Sequence, residues 1–158
     1  VIFAVYDKAD ELRLRANVEE FALATQQAGK RWLLLDLTNA FPEWMAAQEY
    51  CDAYFESPED LAGYQTGELT EFVADLTARL KARIAAEAGP DTVVALLGVG
   101  ALFGLARVSS VVEGIKESVQ GRLLVFFPGE HHPENHTYRL LDARDGWNYL
   151  PVPLLAQE

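Results

Sequence analysis

Three acidic residues stand where apolar runs of this sequence end, and together they could bind a metal ion. Asp7 follows the run 1–6, Asp36 lies near the end of a second run, and Glu130 follows a later one. Carboxylate oxygens are the ligands that Mg²⁺ prefers, so Asp7, Asp36 and Glu130 are a candidate site for a hydrated Mg²⁺. Acidic residues at strand ends also serve as caps and turn anchors, and that structural interpretation is favoured.

A glycine-rich turn follows the third apolar run and could hold an anion. The segment Gly98-Val-Gly-Ala-Leu-Phe-Gly104 has the spacing G-x-G-x-x-x-G, one residue longer than the dinucleotide-binding fingerprint. No Gly-Lys-Ser/Thr follows it, which excludes a P-loop. The backbone amides of Gly98 and Gly100, with Arg107 nearby, are a candidate anion site. Close packing of a strand-to-helix turn is the favoured role of these glycines.

All three histidines fall within six positions, next to an acidic residue. His131, His132 and His136 follow Glu130, and such a group could bind Zn²⁺ or supply a general base. The intervening residues 133–135 are Pro, Glu and Asn, which are typical of a polar loop. Metal ligands need supporting neighbours, so an exposed loop is the favoured interpretation.

The sequence contains no recognisable nucleophilic site. It has no G-x-S-x-G motif, and the carboxylates around Cys51 disfavour a reactive thiolate. Cys51 is the one cysteine, so the chain forms no internal disulfide, as is usual in a reducing cytoplasm. We therefore predict a cytoplasmic protein that is not an enzyme and requires no cofactor.

The elements that must position these residues alternate between strands and helices. Four runs are apolar at nearly every position, which is typical of strands buried on both faces: 1–6, 32–37, 92–97 and 122–127. Helical patterns separate them, and the first is a stripe of Leu14, Val18, Phe21, Ala22 and Thr25 on one helix face that ends at Gly29. We expect an α/β fold with a mainly parallel sheet and helices on both faces, a Rossmann-like three-layer arrangement. In such a sheet the carboxyl ends of the strands share one edge, where ligands usually bind.

The C-terminal region is predicted to end the sheet differently. Strand-like runs at 137–142 and 147–152 flank Asp145-Gly146, and Asp-Gly is a typical hairpin turn. An antiparallel hairpin is therefore expected at the C-terminal edge. Pro151 and Pro153 have no N–H to donate, which places the last strand at an edge. No repeat or polar linker divides the chain, so we expect a single domain over residues 1–158.

The net charge of −11 is concentrated in one segment. From Trp32 to Ala78 there are ten carboxylates and no lysine or arginine, and this segment overlaps a helical insertion predicted at about 42–88. Such a charge repels a phosphate backbone and excludes direct nucleic-acid binding. No apolar run reaches the roughly 18 residues of a membrane helix. The acidic face is either simply solvated, which is favoured, or a docking surface for a basic partner. The candidate partner-binding residues are Glu68, Glu71 and Asp75.

Several short motifs occur in the order found in the BrxB family, whose members are small cytosolic components of BREX anti-phage systems. The chain resembles the N-terminal block of that family in Phe3-Ala-Val-Tyr-Asp7, Glu11-Leu-Arg-Leu-Arg15 and Leu33-Leu-Leu-Asp-Leu37. It resembles the second block in Gly98-Val-Gly100, Arg107-Val-Ser-Ser110, Leu124-Val-Phe-Phe-Pro-Gly-Glu130 and Asn148-Tyr149. It departs from the family in having Phe103-Gly104 in place of Tyr-Pro and His131 in place of tyrosine.

The resemblance implies a non-catalytic accessory subunit that binds other BREX proteins, notably the PglZ-type component with an alkaline-phosphatase-like fold. It also implies an α/β fold related to nucleotide-binding sheets but without their phosphate loop. The alternative is a degenerate nucleotide- or anion-binding sensor domain. That domain would use Gly98, Gly100 and Arg107 for an anion and Asp7, Asp36 and Glu130 around a metal.

Overall fold

The computed structural model describes residues 1–49, 51–57, 69–134, 137–141, 143–145 and 152–155. Within these ranges the strands are β1 (Ile2–Tyr6), β2 (Arg31–Asp36), β3 (Thr92–Leu97), β4 (Arg122–His132), β5 (Thr137–Leu140), β6 (Ala143–Asp145) and β7 (Val152–Leu155). The α-helices are α1 (Glu11–Gln27), α2 (Ala40–Ala46), α3 (Cys51–Glu56), α4 (Thr70–Glu87) and α5 (Val108–Ile115). Short 3₁₀ turns follow β1, β3 and α5.

The main sheet is parallel, as the doubly apolar runs predict. Its strands lie in the order β2-β3-β4-β1-β7, and each neighbouring pair is parallel. Strands β1 to β3 match three of the predicted runs to within one residue, whereas β4 continues to His132, five residues beyond the predicted run at 122–127. Their side chains are buried on both faces because helices lie on both sides, which leaves no solvated face to accept polar residues.

Helices cover the two faces of the sheet and complete three layers. On one face the buried side chains of α4 and α5 pack against Phe3, Val5 and their neighbours in the larger core. On the other face Val18 of α1 packs against Ala95 and Phe126. The helical stripe predicted for α1 faces the sheet, and Gly29, with φ of +73°, lies just beyond the helix end. The predicted three-layer α/β fold is confirmed.

The order of the strands leaves a crevice at their carboxyl ends. After β1 the chain crosses one face through α1 to reach β2 at the far edge of the sheet. It then returns through β3 and β4 with α4 and α5 on the opposite face. The connections after β1 and β3 therefore leave on opposite faces of the sheet, with β4 between these two strands, and ligands of open α/β sheets bind outside the carboxyl ends of the strands.

The antiparallel part of the structure is built on the second half of β4. Beyond Pro128, β4 leaves the parallel sheet and pairs antiparallel with β5, which pairs antiparallel with β6. The hairpin between β5 and β6 turns between Leu140 and Ala143, where Leu141 has φ of +52°. Asp145 ends β6, and Gly146, the second residue of the turn predicted at Asp145-Gly146, lies outside the described residues, so that turn stays a prediction.

Strand β7 does not join the hairpin but pairs parallel with β1 at the edge of the sheet. The Val152 amide donates to the Val1 carbonyl at 3.2 Å, so Val152 directs its backbone groups toward β1. Backbone groups alternate in direction along a strand, which points the nitrogen of Pro153 away from β1. A proline therefore costs no ladder hydrogen bond there, and the edge position predicted for the last strand is confirmed.

Candidate functional site

A cleft of about 370 Å³ lies at the carboxyl edge of the parallel sheet. One wall is polar and consists of Lys8, Glu11, Arg15 and Thr38. The remaining lining consists of Gly98, Gly100, Ala101, Pro128 and Leu141. These residues follow or end four parallel strands, together with the turn after β5. The sequence correctly predicts that Gly98 and Gly100 face this edge, but Arg107 is not among the residues that line the cleft.

The polar wall is a connected network centred on Arg15. Its Nε donates to Glu11 Oε1 at 2.7 Å, and one terminal nitrogen donates to Thr38 Oγ1 at 2.8 Å. The other terminal nitrogen lies 3.4 Å from Asp36 Oδ2. The Tyr6 hydroxyl donates to the second oxygen of Glu11. Arg15 thereby joins the ends of β1 and β2 to the first turns of α1.

The network shifts the pKa values of Asp36 and Tyr6 in opposite directions. Partial burial raises the pKa of Asp36, but hydrogen bonds from the hydroxyl and amide of Thr38 and the charge of Arg15 outweigh it, so the pKa lies below its ordinary value. Those two hydrogen bonds are 2.5 and 2.9 Å long. Burial and the bond to Glu11 raise the pKa of Tyr6. At neutral pH Asp36 is ionised and Tyr6 is protonated.

The lowered pKa of Asp36 predicts a pH-dependent contribution to stability. A carboxyl group with a lower pKa in the folded state stabilises the fold above its unfolded pKa, which is about 3.9, and loses this contribution as the pH falls through the folded value. We expect the free energy of unfolding of the wild type to fall more steeply below about pH 4 than that of Asp36→Asn. Urea denaturation at neutral and acidic pH measures the difference.

The exposed Asp10 provides the matched control for this experiment. Asp10→Asn removes a charge at the same end of the molecule without touching Arg15 or Thr38. Its denaturation should follow the wild type at each pH. A gap between wild type and Asp36→Asn that stays constant from neutral to acidic pH would show that the network does not stabilise the Asp36 carboxylate.

The glycine turn is shaped by close packing against the β2 end. Gly98 has φ of +75°, and a Cβ there would lie 2.5 Å from Thr38 Oγ1 and 2.8 Å from Asp36 Oδ1. Only glycine adopts this conformation readily and leaves room for the Asp36–Thr38 turn. A Cβ on Gly100 would meet Pro128 Cγ at 3.3 Å, a contact that a small shift relieves. The favoured packing role accounts for Gly98, whereas anion binding with Arg107 stays a prediction.

The structure separates the three carboxylates predicted to bind a metal. Asp7 Oδ1 accepts a hydrogen bond from the Ala9 amide at 2.8 Å and caps the turn after β1. Asp36 belongs to the Arg15 network, and Glu130 lies on the antiparallel extension of β4. That extension carries Glu130 beyond the parallel edge. Among the described residues, no three His, Cys, Asp or Glu side chains lie close enough together to hold a metal ion.

The histidines lie on and beside the same β4 extension. His132 is 3.4 Å from Glu130 and 3.7 Å from Glu134 through its two ring nitrogens. The ring of His131 packs on Tyr138, with centroids 4.7 Å apart. His136 is outside the described residues. His131 and His132 therefore lie in the extension of β4, paired with Tyr138 and Thr137, and not in the exposed loop that the sequence predicts, because pairing with β5 continues the strand past Pro128.

Comparison with known proteins identifies the family. The family model described as BREX protein BrxB matches residues 33–150, most of the chain. The chain belongs to the BrxB family. It is therefore a component of a BREX phage-defence system. No curated protein and no solved structure matches it. Across the described ranges, no helix combines the length and apolar character needed to cross a membrane.

The matched segment of this BrxB-family chain includes the acidic helices. Glu71 is exposed at the start of α4, whereas Asp75 forms an ion pair with Arg79 at 2.8 Å. Arg79 also lies 3.7 Å from Glu43. The third candidate, Glu68, is outside the described residues. Glu71 and Asp75 are thus both solvent-accessible, since the Asp75 side chain is 44% exposed despite its ion pair.

Sequence reasoning missed the polar wall of the cleft in this BrxB-family chain. Lys8, Arg15 and Thr38 received no role, although Glu11 and Arg15 stand four residues apart at the start of a helix. That spacing predicts an ion pair on one helix face. This spacing could have indicated the polar wall, because a helix that starts directly after a parallel strand has its first turns at the carboxyl edge of the sheet.

Proposed function

We propose that the chain is a non-catalytic accessory subunit of a BREX complex, which binds other defence components in the cytoplasm. A PglZ-like protein with an alkaline-phosphatase-like fold is the proposed partner. Membership of the BrxB family is the observation that carries this proposal. The family places the chain in a multi-protein defence system, and an acidic helical surface offers a way to join it.

The polar groups of the cleft support a role without catalysis. A general base or nucleophile needs a partner group placed to take or give a proton during the reaction. Here the hydroxyl of Tyr6 is bonded to Glu11, and the carboxylates of Glu11 and Asp36 are paired with Arg15. These contacts stabilise the turns at the strand ends. They also occupy the hydroxyl and carboxylate groups that acid–base catalysis would need.

The exposed carboxylates of the helices between β2 and β3 support a docking role. Exposed acidic side chains stand on or beside α2, α3 and α4: Glu43, Glu49, Asp52, Glu56 and Glu71. Complementary charge steers association and selects partners more than it adds raw affinity. A partner with a basic surface would therefore bind faster at this face, and its binding should weaken as salt is added.

Co-purification from cells that express the complete BREX gene set tests the proposal. The tagged wild type should recover other BREX proteins, the PglZ-like component among them. Glu49→Lys/Glu71→Lys should reduce that recovery roughly tenfold, because a loss of about 1.4 kcal/mol changes an equilibrium tenfold. The matched control is Glu19→Lys/Glu20→Lys, which makes the same charge change at exposed positions of α1.

Each outcome bears on a different part of the proposal. If the wild type recovers no BREX protein, the accessory function is wrong. If both double variants recover partners equally well, the acidic helices are not the docking surface, although the partnership itself stands. Equal loss in both variants would show that net charge alone governs the association.

A further inference from the structure

We propose that the cleft at the carboxyl edge binds a small organic acid, with one carboxylate joined to a compact apolar body. This binding requires no partner protein and so goes beyond the accessory function. Four features of the described residues carry the inference: the position of the cleft, the arrangement of Arg15, the charge balance of the lining, and the chemistry of the remaining surface.

The position of the cleft is the one that open α/β sheets use for ligands. The cleft takes Lys8 from the end of β1, Thr38 from the end of β2, Gly98 from the end of β3 and Pro128 from β4. Connections from β1 and β3 leave on opposite faces of the sheet, and the cleft lies at the carboxyl ends of these strands and of β4 between them. Side chains from four strand ends converge there without filling it, and such a crevice suits a small ligand.

Arg15 is held in place before any ligand arrives. Its three contacts with Glu11, Asp36 and Thr38 use three of the five N–H donors of a guanidinium group. Two donors are left over, and the side chain is 29% exposed. A guanidinium held in this way loses little rotational freedom on binding and favours planar oxyanions such as carboxylates.

The charge balance of the lining favours a single negative charge. Lys8 and Arg15 are cationic, and Glu11 is the one acidic residue among the lining side chains. Both carboxylate oxygens of Glu11 already accept hydrogen bonds, one from Tyr6 and one from Arg15, so its charge is paired within the network. Asp36 on Arg15 and the net charge of −11 oppose a phosphate with two or more charges. This repulsion grows with the charge of the ligand, so a monoanion meets less of it than a phosphate does.

The rest of the lining is apolar and sets the size of the ligand body. Gly98, Gly100, Ala101, Pro128 and Leu141 offer no side-chain donor or acceptor. The volume of about 370 Å³ is at the lower end of the roughly 300–1,000 Å³ found for small-molecule pockets. A short branched or single-ring body fits this space, whereas a dinucleotide does not.

NMR titration of the ¹⁵N-labelled chain tests the inference with defined probes. The probes are benzoate and 4-methylpentanoate, their uncharged amides, and AMP. Both acids should shift the backbone signals of Gly98, Gly100 and Ala101 at millimolar concentration. The amides should bind at least about 10-fold more weakly, since they lose a charge-assisted hydrogen bond worth about 1.5 kcal/mol or more.

Variants of the polar wall complete the test. Lys8→Gln and Arg15→Gln should each weaken binding of the acids about 10-fold. Arg13→Gln is the matched control, because Arg13 is exposed on the same helix and does not line the cleft. Lys8→Gln remains informative if Arg15→Gln lowers the stability of the fold.

Three outcomes would overturn the inference: no shift with either acid, equal binding of acid and amide, or shifts confined to residues away from the cleft. Tighter binding of AMP than of the acids would overturn the proposed ligand class and assign the cleft to phosphates. The isolated chain is used throughout, so these results are separate from the co-purification that tests the accessory function.

Discussion

Replacing Gly129 with alanine is expected to lower the free energy of unfolding by roughly 3 kcal/mol, at the upper end of the usual cost of overpacking. A Cβ at this position would lie 1.9 Å from the Arg139 carbonyl oxygen and 3.0 Å from its carbon. Both atoms are backbone atoms of β5, which pairs with β4 through Gly129 and Leu140. No side-chain rotation relieves the overlap, so the two strands must separate.

Gly89→Ala is the control for this experiment. Gly89 lies between α4 and β3, and a Cβ there would meet nothing within 4 Å. Its substitution should change stability by less than about 0.5 kcal/mol, as is usual for surface positions. Urea denaturation of both variants gives the comparison. A Gly129→Ala variant as stable as Gly89→Ala would contradict the β4–β5 pairing described here.

Truncation of Phe3 is expected to have the largest effect on stability, about 4 kcal/mol. Phe3 is fully buried, stacks on Phe127 with ring centroids 5.2 Å apart, and meets the edge of Tyr138 at 5.0 Å. The three rings join β1, the middle of β4 and β5. Phe3→Ala therefore leaves a cavity where the parallel sheet meets its antiparallel extension, and the surrounding strands cannot close it without breaking their pairing.

Phe103→Ala removes the same group from an exposed position and serves as the control. Phe103 is 45% exposed beside the glycine turn, so its loss should cost less than about 1 kcal/mol. Thermal and chemical denaturation of the two variants should show a clear difference in midpoint. Equal destabilisation would mean that Phe3 does not occupy the centre of the core.

The strands and their burial could be predicted because the relevant signal is local. A strand covered on both faces needs apolar residues at consecutive positions, and β1, β2, β3 and β4 each show this pattern in the sequence. The stripe of α1 and the end of that helix near Gly29 follow from helical periodicity and from the left-handed backbone that glycine permits. Alternation of strands and helices then restricts the fold to a parallel three-layer sheet.

The C-terminal pairing could not be predicted from local signals. The sequence predicts that the last strand belongs to a hairpin, whereas β7 pairs parallel with β1 at the open edge of the sheet. Which edge remains open depends on the order of the strands, and a local pattern carries no information on that order. The described hairpin lies between β5 and β6, where Leu141 takes a left-handed conformation that its residue type does not favour.

By itself, the sequence determined the strand and helix content, the parallel sheet, the family, and the carboxyl edge as the place for Gly98 and Asp36. Only the tertiary structure decided which side chains meet at that edge. It placed Arg15 against Asp36, twenty-one positions away in the sequence. It also placed Glu130 on the antiparallel extension of β4, away from the carboxyl edge of the parallel sheet. Such contacts depend on the order in which strands lie side by side, and that order is set by the packing of the whole chain rather than by the spacing of neighbouring residues.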